Sequence, residues 1–371
     1  MTYPIEASDV KREAEGRWDE ILYARAPALR KALSKPGKHV PCPNPGHQDS
    51  KDGFRVYKDV HLNGASVCNT CGVFTGGIDT LMWINGTTFK ETLREVAEYL
   101  RVGSKAPAAR QAAATPVHRP SKADMEREDA KALEALNRVG RESVSINHRD
   151  AEPARLYMAR RGIKIALPDT LRFHPALEYY DEDRKLVGRF PAILGLIQDK
   201  DGKPANIHRI FITPEGFKAP VDDPKKSMKA MKSQPYVGGA IRLTPASSVL
   251  AIAEGIETAL AVLEGAKIPT WSVVNAYLLE NFEPPPYVEQ VLVFSDKDRP
   301  SLLHPRGHGQ EAAVKLVKRL WERGIKASAI VPRYSIPDGQ KSLDWLDVLD
   351  VYGEEAIPSF ESVAEAIRRA A

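Results

Sequence analysis

Two short apolar runs, Val249–Ala253 and Val291–Phe294, each stop abruptly at acid. The first ends on Glu254-Gly255 and the second on Ser295-Asp296-Lys297-Asp298. Between them Ile256–Glu264 repeats its apolar residues at helical spacing, and Trp271–Val274 has strand character. Strand, helix, strand predicts a βαβ unit, hence a parallel sheet with helices on its faces. Ligands of such sheets bind at the carboxyl ends of the strands. Glu254, Asp296 and Asp298 are therefore expected on one rim. Three carboxylates there repel one another unless a cation neutralises them. Mg²⁺, which takes carboxylates, water and substrate phosphates, suits that set.

Elsewhere the pattern predicts further elements. Residues 7–35 read as amphipathic helix, with Trp18, Ile21, Leu22 and Leu29 for one face, ended by Pro36-Gly37. Helical spacing returns over Lys90–Leu100, opened by Thr88-Phe89, and again over 124–142 and Ala151–Gly162. Residues 102–123 are rich in Ala, Pro and polar residues, the composition of a linker. From Leu167 to Leu243 the pattern shortens to strands and turns, including 171–174, 190–197 and 206–211, with Asp199-Lys200-Asp201-Gly202 as a hairpin turn. Basic residues recur there: Arg172, Arg189, His208, Arg209, Lys218, Lys225, Lys226, Lys229 and Lys232. The last four would share a face if their stretch were helical. A helix over Glu311–Arg323 is expected to bury Ala313, Leu316, Val317, Leu320 and Trp321 and to stop at Gly324; a strand follows over Lys326–Val331. Asp344 lies in Lys341–Asp347, either as another acid at a strand end or in the first turn of a helix capped by Ser342. The tail, Glu354–Ala371, reads as a short amphipathic helix.

Composition narrows the class. The chain has 371 residues, 43% hydrophobic and 27% charged, with a net charge of +4. Those values are ordinary for a globular protein of two or three domains and permit a nucleic-acid partner without requiring one. No apolar run reaches the ~20 residues of a membrane span, and the N-terminus lacks the pattern of a signal peptide; a cytoplasmic location is expected.

The three cysteines change the picture more. They cluster as Cys42-x4-His47, then Cys68-x2-Cys71, with short strands expected between, at 53–57 and 65–67. Cys-x2-Cys on a tight turn puts two thiolates on one ion, and a second pair completes a tetrahedron. A closed Cys3His set suits one structural zinc ion in a zinc ribbon. His39 and His61 are the competing histidines, His39 the nearer rival to His47.

Zinc ribbon, basic mixed core and acidic α/β domain, in that order, resemble the DnaG-type bacterial primases with their Toprim catalytic domain. The likeness is greatest to the compact primases of plasmids, conjugative elements and phages. It is carried by Cys42, His47, Cys68 and Cys71, with a first gap longer than the family's usual Cys-x2-His; by Leu171–Pro175, Pro191–Ile193 and Ile207–Arg209; and by Ala253–Leu260 with Phe294–Asp298. Lys341–Asp347 is similar to the acidic segment that follows Toprim in these primases.

The resemblance implies a multidomain α/β protein: a zinc ribbon with flanking helices over 1–101, a linker over 102–123, a helical segment and basic core over 124–247, Toprim over 248–335 and an acidic segment with helical tail over 336–371. It implies template-directed joining of ribonucleotides on single-stranded DNA. Mg²⁺ or Mn²⁺ would be held by Asp296, Asp298 and Asp344, with Glu254 as base or ligand. Arg189, His208, Arg209 and Lys218 are the candidate contacts for template and NTPs, and Lys225, Lys226 and Lys229 extend that basic set. The chain lacks a Gly-x4-Gly-Lys-Ser/Thr loop, so a separate replicative helicase or conjugation machinery is the expected partner. Two other readings stay open: a Toprim-type nuclease, and a non-catalytic single-stranded-DNA-binding replication factor.

Overall fold

The computed structural model describes residues 7–44, 53–102, 122–181, 185–231, 233–234, 236–300, 305–363 and 365. His47, Lys232, nearly all of the expected linker and the end of the tail lie outside these residues. The chain forms two compact units, Met1–Arg119 and Pro120–Ala371.

In the first unit, the expected long N-terminal helix is broken into Ala7–Ala14, Trp18–Arg25 and a last turn to Leu33. The breaks fall at Gly16, which adopts φ +76°, and at Pro27, whose missing N–H and fixed φ suit a helix start. Three short antiparallel strands, Phe54–Val56, Ser66–Cys68 and Gly72–Phe74, follow. Gly77–Asn85 and Phe89–Leu100 complete the unit, the latter opened by a reciprocal capping box between Thr88 and Glu91. Trp18, Ile21, Leu22, Phe54, Leu81 and Val96 pack in one core. A Cβ on Gly77 would come within 1.9 Å of the Trp18 ring, so only glycine admits that approach.

The second unit is built on one ten-stranded mixed sheet among the described residues. Its parallel part runs Lys326–Ile330, Gln290–Phe294, Val249–Ala253, Thr270–Ser272. Ala240–Ile241, antiparallel to both neighbours, joins this part to the long strand Leu186–Gln198. Leu171–Tyr180 and Pro204–Phe211 flank that strand on its antiparallel side of the sheet.

Alternate residues of the parallel strands feed two cores. Ala251, Ala253, Leu292 and Phe294 pack with Leu260 and Trp345, while Leu250, Ile252, Val291 and Val293 pack with Leu316 and Leu320. Burial on both faces is why these strands read as unbroken apolar runs.

Three expectations change. Lys225–Ser227 is a strand paired with Pro204–Phe211, so the lysines there alternate between faces instead of sharing a helical one. The helix expected from Glu311 begins at His308, which brings its first turn to the acidic rim. Its Trp321 is 58% exposed rather than buried, the indole N–H satisfied by the Ala327 carbonyl. Among the described residues no helix is long and apolar enough to cross a membrane.

Candidate active site and metal-binding cysteines

Glu254 follows directly on the strand Val249–Ala253, and Asp296 lies two residues past Gln290–Phe294. These strands are parallel neighbours in register, Ala253 opposite Phe294, so both acids leave the sheet at the same edge. The Glu254 carbonyl accepts from Ser272 Oγ at 2.6 Å and from the Val274 amide at 2.7 Å. Val274 adopts φ +69°, a left-handed conformation rare for a β-branched residue, and local strain therefore sits beside Glu254.

Asp298 is clamped more closely. Gln310 accepts from its amide at 3.0 Å and donates to its carbonyl at 3.1 Å. The Gly309 N–H donates to Asp298 Oδ2 at 2.6 Å. Lys297, between the two aspartates, sends its ammonium to the Tyr334 carbonyl at 2.5 Å. Asp344 arrives by a short antiparallel pairing of Lys297–Asp298 with Ser342–Leu343. It is itself the N-cap of Trp345–Tyr352, accepting from the Asp347 amide at 2.8 Å, so Ser342 is not the cap.

The four acids share one electrostatic field. Burial, then the charge of Asp298, pushes the Glu254 carboxyl up to about 7. Burial, followed by Glu254, Asp344, Asp298 and Asp347, holds Asp296 well above the usual carboxylate range. Asp344 is also raised, first by burial. These directions describe crowded acids that resist ionising together in the absence of a countercharge.

Two observations test whether a hard cation fits. Asp296 Oδ1 is buried with no hydrogen-bond partner, an acceptor left over for a ligand. A Cβ at Gly309 would lie 3.0 Å from Glu254 Oε1 and 3.1 Å from Asp298 Oδ2, so glycine keeps a cradle open between the two carboxylates. The acids do not close as tightly as a zinc site. Among the described residues only three thiols bring ligand atoms within 4.8 Å of one another. Mg²⁺ or Mn²⁺ does not require three converging carboxylates, since Mg²⁺ retains waters and is held by one or two.

The basic residues are differently placed. Lys225 Nζ lies 2.7 Å from Glu257, which is buried in the first turn of Ile256–Ala266 and also accepts from the Tyr157 hydroxyl at 2.8 Å. Burial would raise the Glu257 carboxyl, but Lys225 and these hydrogen bonds leave it lowered. His208 is buried, which lowers it to about 4, so it is a neutral imidazole at pH 7. Arg209 donates to the Lys226 and Ser227 carbonyls, at 3.3 and 2.9 Å. Lys226 donates to the Tyr180 carbonyl, Lys229 pairs with Glu128, and Arg189 pairs with Glu178 at 2.9 Å. Lys218 is lowered by burial and by the nearby charges of Lys225 and Arg161, with Glu257 and Asp344 opposing. Of the expected basic set, Lys218 thus feels the rim through Asp344, while Lys225 and His208 are coupled to Glu257.

Arg161, Glu257, Gly309 and Gln310 carry no role in the sequence reading. Glu257 lies in the Ala253–Leu260 run, but its pairing with Lys225 is visible only once the sheet is folded. Arg161 Nε is buried without a hydrogen-bond partner, and its charge acts on Asp344 and Lys218.

In the first unit Cys42, Cys68 and Cys71 converge, with Cys42 Sγ 3.8 Å from Cys71 Sγ. Two thiolates on one tetrahedral zinc ion, each about 2.3 Å from it, stand about 3.8 Å apart. Burial, then the neighbouring Cys68, raises the Cys71 thiol, and burial is also the largest cause of the upward shift at Cys42. His39 Nε2 is engaged by Arg55 at 2.9 Å. Neither His39 nor His61 joins the thiols among the described residues, and His47 lies outside them. The donor set fits structural zinc.

Comparison with known families agrees on both regions. Residues 249–355 match the Toprim domain, and residues 37–78 match the zinc-binding domain of primase-helicase. Residues 130–238 match a domain of unknown function, DUF7146. No match was found among curated proteins. Among solved structures, the zinc-binding and RNA polymerase domains of the Aquifex aeolicus primase align at 15% identity and a TM-score of 0.37, covering 99% of this chain and 85% of that one. The primase fragment of the bacteriophage T7 primase-helicase aligns at 14% identity and 0.36, covering 88% and 98%. A DnaG primase catalytic domain bound to single-stranded DNA aligns at 16% and 0.42, covering 66% and 80%. The resemblance to DnaG-type primases holds in the zinc-binding and Toprim segments, and the fold is a multidomain α/β one.

Proposed function

We propose that the chain is a DNA primase that makes short RNA primers on single-stranded DNA. The observation that carries this reading is the pairing, in one chain, of a Toprim acidic rim with a zinc-binding segment of primase-helicase type. The rim alone is compatible with several phosphoryl-transfer reactions; the second segment selects among them.

Asp296 and Asp298, joined by Asp344, are the residues that would hold Mg²⁺ or Mn²⁺. Bound there, the ion would neutralise the triphosphate and the charge developing during transfer. The reaction joins the primer 3′-oxygen to the α-phosphorus of an incoming NTP and releases pyrophosphate. Gly309 and Gln310 hold Asp298 in place, and Glu254 completes the rim beside the reacting groups. Lys218, with Lys225 behind it, offers positive charge toward the triphosphate. Arg189, Arg209, Lys226 and Lys229 lie in the same unit as a basic surface for the template backbone. The zinc module is assigned to recognition of the template start and not to catalysis. Service to a plasmid, conjugative element or phage, with a helicase or conjugation machinery as partner, belongs to the same proposal.

The test is parallel incubation with labelled NTPs and with end-labelled single-stranded DNA, both with Mg²⁺. Primer-length labelled RNA supports the proposal. Cleavage without incorporation would make the chain a Toprim nuclease, and binding with neither reaction would make it a non-catalytic replication factor.

A further inference from the structure

The helix that begins beside Asp344 ends on a surface tyrosine. Tyr352 lies face to face with Tyr334, ring centroids 3.7 Å apart and planes 5° from parallel. Arg333 lies over Tyr334, 5.0 Å from its centroid, and donates to its hydroxyl at 2.9 Å. At 3.7 Å two parallel rings have almost no lateral offset, whereas aromatic pairs favour offset or edge-on contact. Tyr334 packs against the core of this unit, but core packing does not account for Tyr352, which remains 47% exposed with its neighbour Val351 at 66%. What the stack presents to solvent is a braced, flat π face, the kind of surface on which proteins hold unpaired bases.

Its position is tied to the acids. The Tyr334 carbonyl receives Lys297, the residue between Asp296 and Asp298. Trp345, in the same helix as Tyr352, packs edge-on against Phe294 and donates to the Ser295 carbonyl. From Asp344 to Tyr352 the helix advances about 12 Å at ~1.5 Å per residue. That is a few nucleotides of stacked strand at ~3.4 Å each. The local charge is mixed: Arg333 is exposed, Asp350 lies in the same helix, and Glu354 nearby is paired with Lys267. A neutral base tolerates that mixture better than a phosphate does.

We propose that Tyr352, braced by Tyr334 and Arg333, is a stacking platform for an unpaired base of single-stranded DNA a few nucleotides from the acidic rim. The identification of that strand as a template rests on the primase reading.

The test measures binding of a fluorescent single-stranded oligodeoxynucleotide to the full chain, without NTPs, for wild type, Tyr352→Phe, Tyr352→Leu and Tyr352→Ala. Loss of one stacked base weakens binding about tenfold, which is the loss expected for Tyr352→Leu and Tyr352→Ala, while Tyr352→Phe stays near wild type. The salt dependence stays unchanged, because no phosphate contact is lost. Tyr352→Leu retains apolar bulk against Tyr334, and its unfolding temperature reports packing separately. Should the leucine and alanine variants fail to fold, an oligonucleotide with abasic sites still tests the wild type, which must bind it more weakly. Wild-type affinity in Tyr352→Leu, or no preference for intact over abasic DNA, would overturn the platform. The primase reading is tested apart from it: NTP incorporation can fail while Tyr352-dependent binding persists, and the reverse outcome removes only the platform.

Discussion

The Gly309 amide donates to Asp298 at 2.6 Å from the first turn of a fifteen-residue helix. The positive end of that helix therefore faces the acid rim, and the absence of a side chain at Gly309 leaves room for the Glu254 and Asp298 carboxylates to close around it.

This contact predicts an unusual outcome for Gly309→Ala. Alanine is a better helix former by up to about 1 kcal/mol, so helix propensity favours the variant. The added methyl would displace the Glu254 and Asp298 carboxylates. Mg²⁺-dependent activity should fall at least tenfold while the unfolding temperature without metal stays within a few degrees of wild type. Calorimetry alongside NTP incorporation checks both halves.

Stability of the metal-free protein should decline with pH across the window that Glu254 defines. Its folded pKa, about 7, lies above the ordinary 4.5, so within that window the folded state keeps a proton that the unfolded chain has lost. Stability is complete below the lower value and is lost as pH rises through the upper one. Mg²⁺ reverses the loss by binding the folded state. Thermal unfolding at about pH 5.5 and pH 8 should show a larger Mg²⁺-induced rise at the higher pH.

For Asp296→Asn, the neutral amide relieves repulsion from Glu254, Asp344 and Asp298. The metal-free variant should melt above wild type at about pH 8, by ~2–4 °C for each kcal/mol relieved. The Mg²⁺-induced rise should shrink and activity should vanish. Differential scanning calorimetry with and without Mg²⁺ reads this directly.

Lys225→Ala should be a stability variant as well as a binding one. It would leave the buried Glu257 without its cation; breaking a buried pair costs ~3–5 kcal/mol, and half-exposure of Lys225 puts the effect at the lower end. The double variant Lys225→Met, Glu257→Gln should recover most of that loss. Urea unfolding of Lys225→Met, Glu257→Gln and the double variant, beside Lys225→Ala, completes the cycle.

Much of the site was legible because its signals are local. An apolar run ending in acid at 253–254, another at 294–296, and Cys-x2-Cys all carry their meaning within a few residues. The use of the charges was not legible in the same way. Lys225 looks like any surface lysine until the strand Lys225–Ser227 is set opposite Glu257, and His208 like any basic contact until its strand is covered. Asp344 could be weighed only as an acid near an element end; the two-residue pairing of Lys297–Asp298 with Ser342–Leu343 is what carries it to the rim. Pairing across a sheet depends on partners distant in sequence, and no local period encodes it.

For the first unit, Cys68→Ser should lower zinc from about one ion per chain and destabilise residues packed on the thiols, including Val40 and Phe54. Metal analysis after dialysis, with limited proteolysis, measures both; unchanged zinc would remove the thiol cluster as its site.

The central claim is that the acidic rim transfers nucleotides. Its most direct test is synthesis of labelled RNA on single-stranded DNA with NTPs and Mg²⁺, comparing wild type with Asp296→Ala at matched zinc content and folded fraction. Primer synthesis by wild type, abolished in Asp296→Ala, is the predicted result. Equal synthesis by both proteins, or none by wild type, would contradict it.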